Sequence, residues 1–384
     1  MKQLLAYCLS IILCVSFTGC MENYLDLYPE DKITSASFPE NESDIKLLLN
    51  GVYAQLREKE VYNQGLFGFG ITDGATPNAF NWGTDEVFNK LGAGRLSSSD
   101  GGVVTYRWKR CYEIISRANY LLACMDLVDL SEEAKAKYSG ETHFLRGLAY
   151  SVLAETYGGV PIILTNISTE EARSLKRASL EETWQQALDD YEVAITNLGV
   201  DAPEPGRATK GAALGMKMRA YLYQGKYKEV LACIEQIDAL KKYGLFHSYE
   251  GLFDPANENN KEVLFDIQYI EGENSQGSYI DQYCGTGTGS WTRGSRYVPT
   301  DDLVAAYETI DGSPVDPENP YENRDPRLGF TAVLPGSYFL GYRFPNYLYP
   351  GGAFNHAGNR LKHLSTRKYR IQDESKLPPS GQSY

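Results

Sequence analysis

The sequence predicts a mainly α-helical protein with long irregular loops and few short strands. From Ile45 to about Leu240, apolar residues recur every three or four positions, which is the period of an amphipathic helix. After Lys242 the sequence becomes rich in Gly, Pro, Ser and Tyr, a composition typical of loops. Hydrophobic residues make up 42% of the chain and charged residues 23%, so we expect a sizeable core and no extensive disorder.

The N-terminal segment has the layout of a secretory signal peptide. Lys2 supplies a positive start, Leu4–Phe17 is an almost unbroken apolar run, and two small residues follow. The apolar run is short for a membrane span, so an anchor helix is the weaker alternative. We therefore predict a signal peptide over residues 1–19 and one domain over residues 20–384, with a helical part (20–242) and a loop-rich part (243–384).

The helical part divides into several predicted helices. Apolar stripes over Trp108–Met125 and Leu145–Thr156 each predict a helix, and the second is stopped by Gly158-Gly159 ahead of Pro161. A third helix is predicted over Ser179–Leu198. A linker and two more helices follow, at Pro203–Gly206, Ala208–Gln224 and Tyr227–Lys241.

The join between the last two helices matches part of the tetratricopeptide pattern. Tyr221, Gly225 and Tyr227 have its spacing, in which the glycine lets two antiparallel helices approach and the tyrosines pack between them. Met218 stands where the pattern usually has a small residue, and the chain shows no strict repeat period. We therefore predict degenerate tetratricopeptide-like helix pairs.

The part of the chain after Lys242 is predicted to contain mostly loops. Glu262–Tyr269 alternates apolar and polar residues, which predicts a strand, and Asp301–Thr309 predicts one short helix. Glu271–Pro299 and, earlier in the chain, Thr72–Ser99 show no period and read as long loops. Long ordered loops usually carry function, so we expect the ligand site on these two segments.

The charge and the reactive residues exclude several classes of function. The net charge is −13, which argues against nucleic-acid binding because such sites need a basic surface. No Cys-x-x-Cys pair and no closely spaced histidine pair occurs, so we predict no metal site, no cofactor and no catalytic residue. The cysteines of the predicted domain that follow Cys20 are expected to be small buried side chains: Cys111, Cys124, Cys233 and Cys284.

Two loops carry the residue types that bind sugars. A sugar ring needs a flat apolar surface for its C–H face and hydrogen-bonding groups for its hydroxyls. The loops Asn78–Asp85 and Tyr279–Tyr297 supply both. Alternatively, their tryptophans pack against their own loops or against a partner protein. The candidate ligand-binding residues are Asn78, Phe80, Asn81, Trp82, Tyr283, Trp291 and Arg293.

Five blocks of sequence stand out along the chain: Asn50–Tyr53, Arg117–Asn119, Glu141–Pro161, Gly206–Tyr223 and Pro299–Arg327. The arginines in these blocks are predicted to be structural, pairing with carboxylates or helix carbonyls. In this order the five blocks resemble the SusD/RagB family of surface nutrient-binding lipoproteins of Bacteroidetes-type bacteria. The most specific block is the helix ending in the Tyr157–Pro161 turn.

The resemblance implies a SusD-like α-α superhelix with a non-catalytic binding function. Such proteins capture glycans at the cell surface and deliver them to a SusC-like TonB-dependent outer-membrane transporter. Phe17-Thr-Gly-Cys20 then resembles a lipobox, so Cys20 is the expected lipid attachment site and the protein is expected on the outer membrane, anchored by its lipid. The family normally continues with another helix pair beyond Ser380–Tyr384, so we expect a C-terminally truncated member with an exposed apolar face and reduced stability.

Other functions remain open at this stage. A RagB-like uptake protein would bind peptides instead of glycans. A glycoside hydrolase would use a carboxylate pair such as Asp73 and Asp85, for which no catalytic signature is present. A pure helix-repeat scaffold would bind only protein.

Overall fold

The fold is described from a computed structural model, which covers residues 38–57, 73–81, 90–97, 99–269, 297–339, 342–343 and 365–367. Most of the described chain is helical, as the sequence predicts. The helices are α1 (Glu42–Leu56), α2 (Val103–Cys124), α3 (Glu132–Tyr157), α4 (Thr169–Ser174), α5 (Leu180–Asn197), α6 (Lys210–Tyr223), α7 (Tyr227–Ala239), α8 (Asp301–Ala306) and α9 (Arg327–Thr331).

The strands are short and pair two by two. β1 pairs with β2, β3 with β6 and β4 with β5, all antiparallel. None of these ribbons forms a layer of the core, which lies between the helices. The strands are β1 (Ala79–Asn81), β2 (Tyr297–Pro299), β3 (Ala332–Val333), β4 (Tyr338–Phe339), β5 (Tyr342–Arg343) and β6 (Ser365–Thr366).

Helix α3 lies at the centre of the helical part. It packs against α2 on one side and α5 on another, while α6 packs on α5 and α7 on α6. Successive helices are therefore neighbours in space, as expected for stacked helix pairs. Most of α3 from Tyr138 to Ala154 is buried, including polar residues such as Glu141 and Arg146, because neighbouring helices cover more of α3 than its apolar stripe.

The helix ends follow local chemistry. The Ser131 hydroxyl accepts the Ala134 amide at the start of α3, and Ser179 forms a capping box with Glu182 at the start of α5. Gly158, with φ of 74°, terminates α3 in a backbone conformation that side chains with a Cβ rarely adopt. Both predicted limits of α5 and the predicted end of α3 are confirmed to within one residue, whereas α3 begins at Glu132, well before the predicted Leu145.

Glycine has two different roles in the helical packing. Gly225, between α6 and α7, has φ of 69° and no atom within 4 Å of an added Cβ, so it is needed for the turn and not for close approach. The prediction that Gly225 lets the two helices approach each other closely was therefore wrong. Close approach occurs at Gly147 on α3, where an added Cβ would lie 2.9 Å from Cε1 of Tyr191 on α5.

The structural role predicted for the motif arginines holds for Arg146. Its Nη2 donates to Asp190 Oδ1 at 2.7 Å and its Nη1 to Asn119 Oδ1 at 2.8 Å, deep between α3 and α5. Arg219 does not follow the prediction. It is exposed on α6 and forms no hydrogen bond with a described residue. Its charge opposes the rise that burial causes in the pKa of Glu155 on α3.

Glu262–Tyr269 is not a strand, which corrects the prediction from its alternating pattern. It is an irregular segment that lies along α3 and α6, with the Phe265 ring 4.9 Å from the Phe144 ring. Leu264 packs beside Gly215 of α6, where an added Cβ would lie 2.8 Å from Leu264 Cδ2. The segment has no paired strand among the described residues, so its apolar side chains pack into the helix surface instead.

Exposed apolar side chains lie on α6 and α7. Tyr227, Leu231 and Ile234 form a stripe on α7 and are 67%, 61% and 39% exposed, and Leu222 and Tyr223 of α6 are exposed beside them.

None of the described helices has the length and hydropathy to cross a bilayer. The described cysteines are buried free thiols, as predicted: Cys111, Cys124 and Cys233.

Candidate functional site

The β1–β2 ribbon joins the two loops that carry the candidate sugar-binding residues. Phe80 is paired with Val298, and Asn81 with Tyr297. β1 ends directly before Trp82, and β2 begins directly after residue 296. Because the two strands are antiparallel, both loops leave the same end of the ribbon. The tertiary structure therefore brings the two loops together at their bases.

Thr300 fixes the base of this ribbon. Its amide donates to the Asn78 carbonyl at 3.1 Å, and its hydroxyl donates to the Pro77 carbonyl. The same hydroxyl accepts the Leu303 amide at 3.1 Å and so caps α8. Thr300 therefore joins the residues just before β1 to the end of β2 and the first turn of α8.

Arg324 braces α8 at its other end. Only 6% of Arg324 is exposed, and its Nη2 donates to the carbonyls of Val304 and Tyr307 at 2.6 and 2.5 Å. The Val304 carbonyl also accepts the Tyr307 amide at 3.3 Å, and the guanidinium adds a charged donor to both carbonyls at the C-terminal end of α8. The adjacent Asp325 is bound by Arg327, whose hydrogen bonds lower the Asp325 pKa to about 2. The structural role predicted for this motif is confirmed.

The ribbon places the described candidates as follows. Phe80 is 43% exposed although its cross-strand partner Val298 is only 4% exposed. Residues opposite each other on paired strands share a face, so Phe80 lies on the face that contains Val298. Asn78 is exposed and accepts the Thr300 amide through its carbonyl. Asn81 lies within β1.

The remaining candidates lie outside the described residues and stay predictions. They include the lipid attachment site Cys20 and the aromatic residues expected to contact sugar rings. Thr300 belongs to the block Pro299–Arg327 named above, but its bond to the Pro77 carbonyl was not predicted because Pro77 is far away in the chain. The candidates outside the described residues are Cys20, Trp82, Tyr283, Trp291 and Arg293.

The described residues contain no group of three His, Cys, Asp or Glu side chains that could hold a metal ion.

Two acidic residues, Asp301 and Asp302, occupy the first turn of α8, where they interact favourably with the positive end of the helix dipole. Burial and the nearby Asp301 charge raise the pKa of Tyr321. The surface beside the ribbon therefore supplies carboxylates and neutral hydroxyls.

Residues 23–222, more than half of the chain, match a SusD-like family described as "Starch-binding associating with outer membrane". Residues 261–381 match the family described as "SusD family". The fold and these matches define an α-helical protein of the SusD type. The chain belongs to the SusD family.

Two curated relatives illustrate the similarity. The SusD-like protein P25 of Formosa agariphila is 26% identical over 321 residues, which are 78% of this chain and 58% of the relative. A SusD-like protein of Bacteroides ovatus is 24% identical over 276 residues, which are 66% of this chain and 48% of the relative. The chain thus spans about half the length of the curated relatives it matches.

Solved structures have the same fold. A SusD-like carbohydrate-binding protein from Bacteroides fragilis superposes with a TM-score of 0.76 at 26% identity, over 89% of this chain and 70% of that one. A laminarin-binding SusD-like protein superposes with a TM-score of 0.69 at 19% identity, over 90% of this chain and 75% of that one. At that lower identity the likeness shows the fold alone.

Proposed function

We propose that this chain is a non-catalytic, cell-surface glycan-binding lipoprotein that delivers oligosaccharides to a SusC-like TonB-dependent outer-membrane transporter. The observation that carries the proposal is the pairing of β1 with β2, from which both aromatic loops emerge. Membership of the SusD family supports it. So do the printed names of similar structures, which describe carbohydrate, laminarin and surface glycan binding.

The chemistry of the loops fits a sugar ligand. Trp82 and Trp291 offer flat apolar faces for pyranose C–H groups, and Tyr283, with a ring and a hydroxyl, offers both kinds of contact. Asn78 and Arg293 supply hydrogen bonds to hydroxyls. The anchored ribbon holds the bases of the loops at a fixed separation, which reduces the entropy lost when a ligand binds.

Affinity electrophoresis tests this binding site. The full chain in detergent is run through gels that contain neutral polysaccharides, beside Trp82→Ala, Trp291→Ala and the control Tyr227→Ala, which removes an exposed ring from α7. We expect each tryptophan variant to lose retention and the control to keep it. Unchanged retention in both tryptophan variants would refute the site assignment.

The tether at Cys20 accounts for the proposed location. A cysteine that receives several acyl chains is anchored firmly, because each buried CH₂ contributes about 0.8 kcal/mol. Metabolic labelling with a palmitate analogue should mark the wild-type protein and not Cys20→Ala, and surface proteolysis of whole cells should degrade the labelled protein. Labelling of the variant would refute the tether.

A non-catalytic role is distinguished from hydrolysis by product analysis. Asp73, one member of the carboxylate pair considered above, is exposed. Prolonged incubation of the chain with any glycan that it retains should release no shorter oligosaccharides. Release of products that Asp73→Asn abolishes would establish the hydrolase instead.

A further inference from the structure

Two cavities lie on either side of the turn Pro205–Arg207, far along the chain from the β1–β2 ribbon. Their volumes are about 290 and 210 Å³, and Phe265 and Asp266 line both of them. Together they form one groove between α1, the start of α6 and the segment that follows Lys261; we call it the Arg207 groove. Its residues take no part in the β1–β2 ribbon.

The wall of the Arg207 groove is fixed before any ligand binds. Arg207 Nη2 donates to Asn50 Oδ1 at 2.6 Å, and its guanidinium lies 5.0 Å from the centre of the Tyr53 ring. The Tyr53 hydroxyl donates to Glu141 at 2.7 Å and accepts the Ala208 amide at 2.9 Å. This network joins α1, α3 and α6, so the groove is a built feature of the fold and not a gap in poor packing.

Asp266 is a carboxylate with unused hydrogen-bonding capacity at the centre of the Arg207 groove. It lines both cavities, and no described residue forms an ion pair with it. Burial raises its pKa, and the neighbouring Gln268 side chain opposes that effect with a hydrogen bond. A carboxylate has about four acceptor positions, which suits it to bind two adjacent hydroxyl groups.

The charges of the Arg207 groove favour a neutral ligand. Arg207 and Lys242 are ion-paired with carboxylates, and Arg57 also has interactions of its own. Lys261 and Asp266 have no ion-pair partner among the described residues, and their charges are opposite. A phosphate-rich ligand would find too little uncompensated positive charge, and a cationic ligand would meet Lys261.

The rest of the lining has the chemistry of a sugar site. The rings of Tyr53, Tyr243 and Phe265 provide flat apolar surface. The amides of Asn259 and Gln268 face each other at 3.4 Å, a long hydrogen bond that a ligand hydroxyl could replace with a shorter one. Aromatic faces together with donors and acceptors are the combination that a carbohydrate requires.

We propose that the Arg207 groove is a second carbohydrate-binding site, which takes a short neutral oligosaccharide through hydrogen bonds to Asp266. It goes beyond the proposed function, since it shares no residue with the loops at the β1–β2 ribbon. A chain with both sites would hold a longer glycan at two points or two separate oligosaccharides at once. Binding at two points raises the overall affinity through effective concentration.

Isothermal titration calorimetry tests the second site. The full chain in detergent is titrated with neutral hexaoses of α-1,4-, β-1,3- and β-1,4-linked glucose. We expect two equivalents to bind the wild-type chain. Asp266→Asn should weaken one of them at least ten-fold, because a hydrogen bond to a charged group is lost, whereas Trp82→Ala/Trp291→Ala should remove the other. The matched control is Asp238→Asn, on an exposed position of α7.

Thermal melts separate binding from folding. Asp266→Asn removes a desolvated charge and should melt at or above the wild-type temperature. If Asp266→Asn melts below wild type, Gln268→Ala serves as the second variant of the Arg207 groove. Binding by Asp266→Asn and Gln268→Ala equal to wild type would refute the groove, as would binding that the tryptophan double variant abolishes completely. If the double variant keeps both equivalents, the loop site fails and the groove stands. Failure of the wild-type chain to bind any hexaose would refute both sites.

Discussion

Arg146 on α3 and Asp190 on α5 form a buried ion pair whose loss we expect to destabilise the fold strongly. The Arg146 side chain is 7% exposed and that of Asp190 is 1% exposed. Arg146 donates to Asp190 through Nη2 at 2.7 Å and through Nε at 3.1 Å. Asp190→Ala would leave a guanidinium buried without a counter-ion, which should lower the free energy of unfolding by about 3–5 kcal/mol.

The same pair allows a stringent comparison. In Arg146→Met/Asp190→Leu both partners are replaced by apolar groups of similar size, so no charge remains buried without a partner. We expect the double variant to lose much less free energy of unfolding than the sum of the two single variants, because the two residues are coupled.

Urea unfolding followed by far-ultraviolet circular dichroism at neutral pH measures these differences. Lys46→Ala removes one partner of an exposed ion pair with Glu204, with side chains 50% and 52% exposed, and should cause little change. A loss below about 1 kcal/mol for Asp190→Ala, or strict additivity in the double variant, would refute the account of this pair.

Three further perturbations test other parts of the fold. Gly147→Ala should cost about 1–3 kcal/mol, since its Cβ would meet Tyr191 at 2.9 Å. Thr300→Val removes the cap of α8 and the bond to the β1 segment, which should cost about 1 kcal/mol and weaken glycan retention on gels. Asp325→Asn should destabilise the protein relative to wild type most at neutral pH. The Arg327 hydrogen bonds hold the pKa of Asp325 at about 2 in the folded protein, below its value in the unfolded chain. Their stabilisation is therefore present above the unfolded pKa and is lost as the pH falls towards 2.

The controls for these perturbations come from the same chain. Gly101→Ala adds a Cβ with no atom within 4 Å and should be close to neutral in urea unfolding. Tyr338→Ala removes an exposed ring from β4, which pairs with β5 and not with β1 or β2, and should leave glycan retention intact. If the melting temperatures of Asp325→Asn and wild type differ by the same amount at pH 7 and pH 2, the Arg327 interaction does not act as described.

Some expectations from sequence were confirmed because they depend on neighbouring residues. Helices α5, α6 and α7 and the end of α3 were predicted within two residues, since an amphipathic period, a serine cap and a terminal glycine act within one or two turns. The first half of α3 was not predicted. Arg146 was predicted to have a structural partner because a cation on an apolar helix must be paired.

Other expectations failed where a distant partner decides the outcome. The alternation in Glu262–Tyr269 predicts a strand only if another strand lies beside it; here the surfaces of α3 and α6 lie there instead. Arg219 resembles Arg146 in sequence context, yet it is exposed and acts on Glu155 of α3 through its charge, without a hydrogen bond. A residue pattern shows which face is apolar but not what covers that face.

The sequence by itself determined the helical class and the limits of α5, α6 and α7, because these depend on side-chain type and on spacing within a few turns. Only the tertiary structure decided that β1 pairs with β2 across more than two hundred residues and that the Arg207 groove forms between three separate segments. Both features depend on contacts between segments distant in the chain, and no local period encodes which distant segments will meet.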